Sequence, residues 1–295
     1  MELKCDFRVE YLRHFSNCIS SLSRLSLASK SDTHSYVNFT PTKVYANSRN
    51  LHGLEGYTEI PTNNIFHENP VIINKTIEGN PVFLKLDIVR FNNVLSAAST
   101  SDRVAIELIV RSGLLYIIVS FDDMYHSNKD IPVESLPAEM LDGCITPDIP
   151  LYKWNVALPK ICKIISFLDA AFKLGSEFVD ISVCKMDSVK ANLTLIADTV
   201  MVNLESSFNG LKLFMGDEPV DTNDNSSIVR TVNTKIFIQV MRALLNLTGE
   251  RKTQCVVFAT ISDNFSEPWI FLVASCVAVE ECRVYLTIPV VNDDF

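Results

Sequence analysis

Apolar residues recur at steps of three and four in four stretches of the chain, the spacing of one buried face of an α-helix. The first stretch runs from Tyr11 to Leu25, with Leu12, Phe15, Ile19 and Leu22 on one side. The second covers Asp87 to Ala98, with Ile88, Phe91, Val94, Leu95 and Ala98 inward. The third opens at Pro159, a residue suited to a first helical turn, and ends at Leu174, with Gly175 placed to terminate it. Its stripe is Ile161, Ile164, Ile165, Leu168 and Phe172. The fourth spans Thr234 to Leu247, with Gly249 just beyond, and turns Phe237, Val240, Met241 and Leu244 inward. The starts at 11, 87, 159 and 234 are near-evenly spaced, which predicts one structural unit used four times.

Each helix follows a strand-like run: Cys5–Val9, Val82–Leu86, Tyr152–Ala157 and Ile228–Val232. Further strands follow the last three helices. After the second come Val104–Val110 and Leu114–Phe121, joined by the turn Arg111-Ser112-Gly113. After the third come Phe178–Val183, Val189–Ile196 and Val200–Leu204. After the fourth come Cys255–Ile261, Trp269–Val279 and Cys282–Val290. Alternation such as Val284-Tyr285-Leu286-Thr287-Ile288 marks antiparallel strands with one wet face. Asn47–Ile77 reads as short strands and a long loop, and Gly216–Ser227 as a polar loop. The prediction is an α+β protein of two similar domains, each with two helices packed on antiparallel sheets. The domains are residues 1–136 and 151–295, joined by a Pro- and acid-containing connector at 137–150.

The chain of 295 residues carries a formal charge of −9, which repels nucleic acid unless the cations are segregated. The outer faces of the predicted helices are where segregation shows. The first carries Arg13, Asn17, Ser20 and Arg24, and the second Arg90, Asn93 and Ala97. The third carries Lys163, Ser166, Ala170 and Lys173, and the fourth Lys235, Gln239, Arg242 and Asn246. None of these positions is acidic. Such faces are either ordinary solvated surface or a lining for a phosphate backbone, contacted without sequence preference. No aromatic residues interleave the cations, which disfavours a stacking platform for single strands.

Other chemistry is sparse. Only nine glycines are present, and no phosphate-binding glycine loop, paired-histidine helix or nucleophile elbow occurs. The eight cysteines include no C-x-x-C pair and are read as reduced core thiols. The charged first twenty residues lack the apolar core of a secretory signal, and no apolar run is long enough to span a bilayer. No cofactor and no metal are expected, although a dispersed enzymatic site remains an alternative.

Several segments carry a family resemblance. Lys4–Leu22, KCDFRVEYLRHFSNCISSL, resembles the first strand and helix of the sliding clamps, and Val82–Ala98 with Arg103–Phe121 resembles the second half of a clamp domain. Arg283–Val290, RVYLTIPV, is similar to the closing strand of PCNA-like proteins. Lys129–Pro137, KDIPVESLP, and Leu151–Leu158, LYKWNVAL, resemble the Hus-type subunits of the heterotrimeric checkpoint clamp, the 9-1-1 clamp.

This resemblance implies a PCNA-like fold and a non-enzymatic nuclear ring subunit. It implies two other clamp subunits as partners, double-stranded DNA in the channel, a clamp loader, and checkpoint and repair proteins, with no membrane. It gives DNA-facing roles to Arg13, Asn17, Arg24, Arg90, Asn93, Lys163, Lys173, Lys235, Gln239 and Arg242. It puts subunit contacts on two strand edges, Ser127–Leu136 with Ile131 and Val133, and Thr199–Ser207 with Val200, Val202 and Leu204. Pro132 within the first edge removes one ladder donor. A homotrimeric replicative clamp and a β-rich adaptor without DNA binding are the alternative readings.

Overall fold

A computed structural model describes residues 2–27, 34–49, 54–68, 71–73, 81–122, 126–137, 154–215, 227–248, 255–261, 269–276 and 282–291. Two compact units make up the chain. One is Met1–Pro147 with Glu250–Gln254 and Ser275–Val284, and the other is Asp148–Gly249 with Cys255–Ala274 and Tyr285–Phe295. Residues 138–150 of the expected connector and 216–226 of the expected polar loop lie outside the described residues.

In the first unit the order is β1 (Glu2–Asp6), α1 (Val9–Leu27), β2 (His34–Phe39), β3 (Lys43–Arg49), β4 (Glu55–Pro61), a four-residue α2 (Thr62–Ile65) and β5 (Val71–Ile73). Then come β6 (Val82–Asp87), α3 (Ile88–Ala98), β7 (Val104–Arg111), β8 (Leu114–Asp122) and β9 (His126–Ser135). The second unit begins with β10 (Trp154–Ala157), α4 (Ile161–Lys173), β11 (Phe178–Lys185), β12 (Lys190–Asp198) and β13 (Asn203–Met215). It continues with β14 (Ser227–Asn233), α5 (Thr234–Thr248), β15 (Cys255–Ile261) and β16 (Trp269–Cys276), the last two residues of which are counted in the first unit; the last strand, β17 (Arg283–Pro289), has Arg283 and Val284 in the first unit and the rest in the second.

The pairings display the repeat. In the first unit, antiparallel pairing runs without a break from β5 through β1, β7, β8, β9, β6, β2 and β3 to β4. In the second it runs β15, β10, β13, β12, β11, β14. Equivalent strands make equivalent contacts. The strand before a helix pairs with the last strand of its own repeat in β6–β9 and in β10–β13. The first strand of a unit pairs across to the strand after the second helix, β1 with β7 and β10 with β15. The first strands after each helix meet the pre-helix strand of the other half, β2 with β6 and β11 with β14.

Helices pack in pairs, α1 with α3 and α4 with α5. The α1 stripe is fully buried at Leu12, Phe15, Ile19 and Leu22. Phe15 stacks edge-on to Phe91 of α3 with centroids 6.3 Å apart, and its ring is 5.2 Å from Phe7. In α4 the core positions are Ile161, Ile164, Leu168 and Ala171. Phe172, expected inward, is instead 52% exposed, because Ala171 takes the inward position in that turn.

Local chemistry explains the helix ends. Asp87 caps α3, its carboxylate accepting from the N–H groups of Val89 at 2.9 Å and Arg90 at 3.0 Å. Asn233 does the same for α5 through Lys235 N–H and Ile236 N–H. Gly175, with φ at +86°, ends α4 as expected. The β7–β8 turn holds Ser112 and Gly113 both at positive φ, the two-residue geometry that matches strand twist. Asp87→Ala is expected to lower stability by about 1 kcal/mol in urea titration, with the fold retained.

Two strand readings shift. The run expected at Cys5–Val9 is β1 at Glu2–Asp6, because Val9 already opens α1. The run expected at Val200–Leu204 is a turn followed by the long β13. Thr199 accepts on its hydroxyl oxygen from Val202 N–H at 3.0 Å, and this leaves Val200 and Met201 in solvent.

Burial also sets one ionisation. The Cys5 thiol, enclosed in the core beside the Asp6 carboxylate, is pushed up from 9.0 to about 12. Folding favours its protonated form, so its contribution is whole below pH about 9 and declines as pH rises from there toward 12. Stability is expected to fall above pH 9 with a slope of up to about 1.4 kcal/mol per pH unit from this group. A Cys5→Ala variant should show a flatter decline over the same window in denaturant midpoints. Comparison with the unaltered chain cancels the contribution of Tyr45, whose phenol burial also pushes up.

Candidate nucleic-acid and subunit-contact surfaces

The periodicity that buries one stripe of each helix turns the opposite stripe outward. Arg13, Arg24, Arg90, Asn93, Lys163, Lys173, Lys235 and Arg242 are exposed, while Asn17 and Gln239 are half-buried. All ten lie off the core stripes of their helices.

Hydrogen bonding divides these residues into two groups. Arg90 donates from Nη2 to the backbone carbonyl of Asp130 on β9 at 2.8 Å, and Arg111 pairs with the Asp130 carboxylate. Arg242 of α5 pairs with Asp169 of α4, Nη2 to Oδ1, at 2.9 Å. These two arginines already serve contacts within their own units. Among the described residues Arg13, Arg24, Lys163, Lys173 and Lys235 make no ion pair. Neither Asp169 nor Asp130 carries a local sequence signal for these arginine contacts, since Arg242 and Arg90 lie 73 and 40 residues away.

Position along the helix separates the free cations further. Arg24 and Lys173 sit in last turns, where the helix dipole itself favours a positive charge. Lys163 and Lys235 sit in the first turns of α4 and α5, which contain no acid. There the dipole disfavours a cation, so stability alone does not account for these lysines. They are placed where an incoming anion meets both a side-chain charge and the positive end of the helix dipole.

The strand edges are equally specific. β9 pairs with β8 along its length, but with β6 only through Val133, Glu134 and Ser135. Among the described residues this leaves one edge open over 126–132. Ile131 itself is 0% exposed, because alternate β9 side chains enter the core, so only its backbone can face a partner. Val133 is half-buried, and Pro132, which has no N–H to offer, is exposed. β13 pairs with β12 over Asn203–Lys212 and with β10 only over Leu213–Met215. Its other edge over 203–212 is therefore open among the described residues. Val200, Met201 and Val202 form an exposed apolar tip beside it, at 105%, 91% and 44% exposure, and Leu204 is half-buried. Open edges with apolar margins invite pairing with another chain.

Two adjoining troughs, of about 500 and 420 Å³, share Lys4, Asp6 and Arg103 on the first unit. Several of their charges are already engaged. Lys4 pairs with Glu107 at 2.8 Å, which raises the lysine pKa, and His126 pairs with Asp122 at 2.7 Å. Cys5 at the wall is held as a neutral thiol, a poor nucleophile. Among the described residues no His, Cys, Asp and Glu side chains group as a metal site, and no helix is long and apolar enough to cross a membrane.

Two units of shared topology, paired helices and antiparallel sheets define a sliding clamp of the PCNA-like fold. Three solved structures share it. PCNA from Entamoeba histolytica superposes with TM-score 0.69 at 9% identity, over 98% of this chain and 99% of that one. PCNA from Thermococcus kodakaraensis gives 0.67 at 13% identity, over 98% and 100%. The PCNA2–PCNA3 complex from Sulfolobus tokodaii gives 0.62 at 13%, over 98% and 99%. A sequence search of curated proteins returns no match. The profile of the Hus1-like protein family matches residues 1–264, and the chain belongs to that family.

Proposed function

We propose that this chain is a non-catalytic subunit of a heterotrimeric ring that encloses duplex DNA at damage sites and supports checkpoint signalling and repair in the nucleus. The observation that carries this reading is the set of uncommitted cations on outward helix faces of a chain with net charge −9. Lys163 and Lys235, set against their helix dipoles, weigh most. Contacts of this type are to phosphates, are independent of sequence and weaken with salt. The open edges of β9 and β13 supply two surfaces per subunit, as a closed ring requires. On this reading the partners are two different clamp subunits, an ATP-driven clamp loader, and checkpoint and repair proteins.

The test is stoichiometric. Purified alone, the chain is expected to run as a monomer in size exclusion with light scattering. Co-expressed with two other clamp subunits, it should form a one-to-one-to-one particle retained on closed circular DNA and released by linearisation. A stable homotrimer of this chain alone would favour the replicative-clamp reading.

A further inference from the structure

Cys18 of α1 and Cys282, the residue before β17, lie 264 positions apart in sequence, yet their Sγ atoms are 3.6 Å apart. Both are buried, at 3% and 2% exposure, and both belong to the first unit. Their supports are structured. Cys18 sits among the fully buried Phe15, Ile19 and Leu22 of α1, which packs on β3 and β4. Beside Cys282, the backbone carbonyl of Arg283 accepts from the Thr58 hydroxyl of β4 at 3.2 Å. The two thiols are thus held on the same strand group from opposite ends of the sequence.

The geometry points to a reversible disulfide between Cys18 and Cys282 that fastens the start of β17 to α1 under oxidant. A disulfide needs the sulfurs at about 2.05 Å, so closure requires a movement of roughly 1.5 Å, within reach of side-chain rotation. Hydrogen peroxide is the oxidant of the simplest balanced route. One thiolate attacks a peroxide oxygen, the O–O bond breaks, and a sulfenic acid forms with release of one water after proton transfer. The second thiolate attacks the sulfenic sulfur, the S–S bond forms, and the hydroxyl leaves as a second water. Two thiols are oxidised and one peroxide is reduced. Burial makes a brief local opening around the two thiols the rate-limiting event, so the pair reacts more slowly than the exposed Cys162 and Cys184. In a reducing compartment the bond is transient and is reset by dithiol exchange.

The experiment uses the full reduced chain treated with hydrogen peroxide, quenched with N-ethylmaleimide and digested without reductant. Mass spectrometry should find a linked Cys18–Cys282 peptide. The oxidised protein should melt about 5–10 °C higher, since the bond closes a very long loop, and dithiothreitol should reverse the shift. Cys18→Ala and Cys282→Ala should each abolish both signals. If either variant does not fold, the linked peptide in the unaltered chain is compared with the same treatment in urea. Recovery of Cys18 and Cys282 as free thiols after Cys162 and Cys184 are consumed would overturn the proposal. So would an equal linking yield in the urea-unfolded chain.

Discussion

Replacing Arg13, Lys163 and Lys235 together by glutamate is expected to weaken the binding of the assembled ring to open linear duplex DNA while leaving the fold intact. Each lost phosphate contact removes about 0.9 from the slope of log affinity against log salt. Three contacts therefore cost roughly two to three orders of magnitude near 0.1 M salt, and the slope should fall by about 2.7. Unfolding cannot imitate this result. All three side chains are exposed, and none has an ion-pair partner among the described residues. Glutamate in the first turns of α4 and α5 agrees with the helix dipole, so Lys163→Glu and Lys235→Glu should hold or raise the melting temperature. Arg242 is left unchanged because its reversal would set two acids face to face across the 2.9 Å contact with Asp169. Unchanged affinity for linear duplex and an unchanged salt slope in the triple variant would remove the basic-face reading.

Phe15→Ala is expected to have the largest effect on stability. The ring is 0% exposed and is held between Phe7 and Phe91, where α1 meets α3. Truncation removes the transfer free energy of the ring and leaves a cavity that two packed helices close only in part. The cost is about 3–5 kcal/mol, or roughly a 10 °C fall in melting temperature. Phe172→Ala is the matched control: also a helical phenylalanine, but 52% exposed, it should stay within about 0.5 kcal/mol of the unaltered chain. A similar loss from both substitutions would mean that the α1–α3 packing does not dominate the first unit.

The two phenylalanines also mark where periodicity stops being informative. Both fit an apolar stripe at steps of three and four, but a helix face is about one residue wide at its margin. Ala171 and Phe172 compete for one inward direction, and only the shape of the opposing surface selects the smaller residue. The segment from β2 to β4 was harder to read for a different reason. Its core positions include Ser35, Asn38, Asn47, Ser48 and Thr58, all buried, so the apolar alternation that reveals a strand is diluted. Ser26 and Ser48 bond each other at 2.6 Å, a pairing between α1 and β3 that no local pattern encodes. β13 beyond Leu204 is hidden in the pattern for another reason: its middle, Glu205-Ser206-Ser207-Phe208-Asn209-Gly210, is mostly polar and buries no residue, so it separates the mostly apolar Leu211–Met215 from the start of the strand.

Four amphipathic helices, their near-even recurrence, most of the strands around them and the cations on their outer faces are legible in the residue pattern. These follow from the 3.6- and 2-residue periods, which act over a few neighbours and need no knowledge of the rest of the chain. Tertiary structure alone decided which strand edges stay open, that Ile131 is buried, and that Arg90 and Arg242 are spent on Asp130 and Asp169 while Lys163 and Lys235 stay uncommitted. Those outcomes depend on partners 40 to 73 residues away or on strand register, and a charge is free or satisfied only relative to what folding brings beside it.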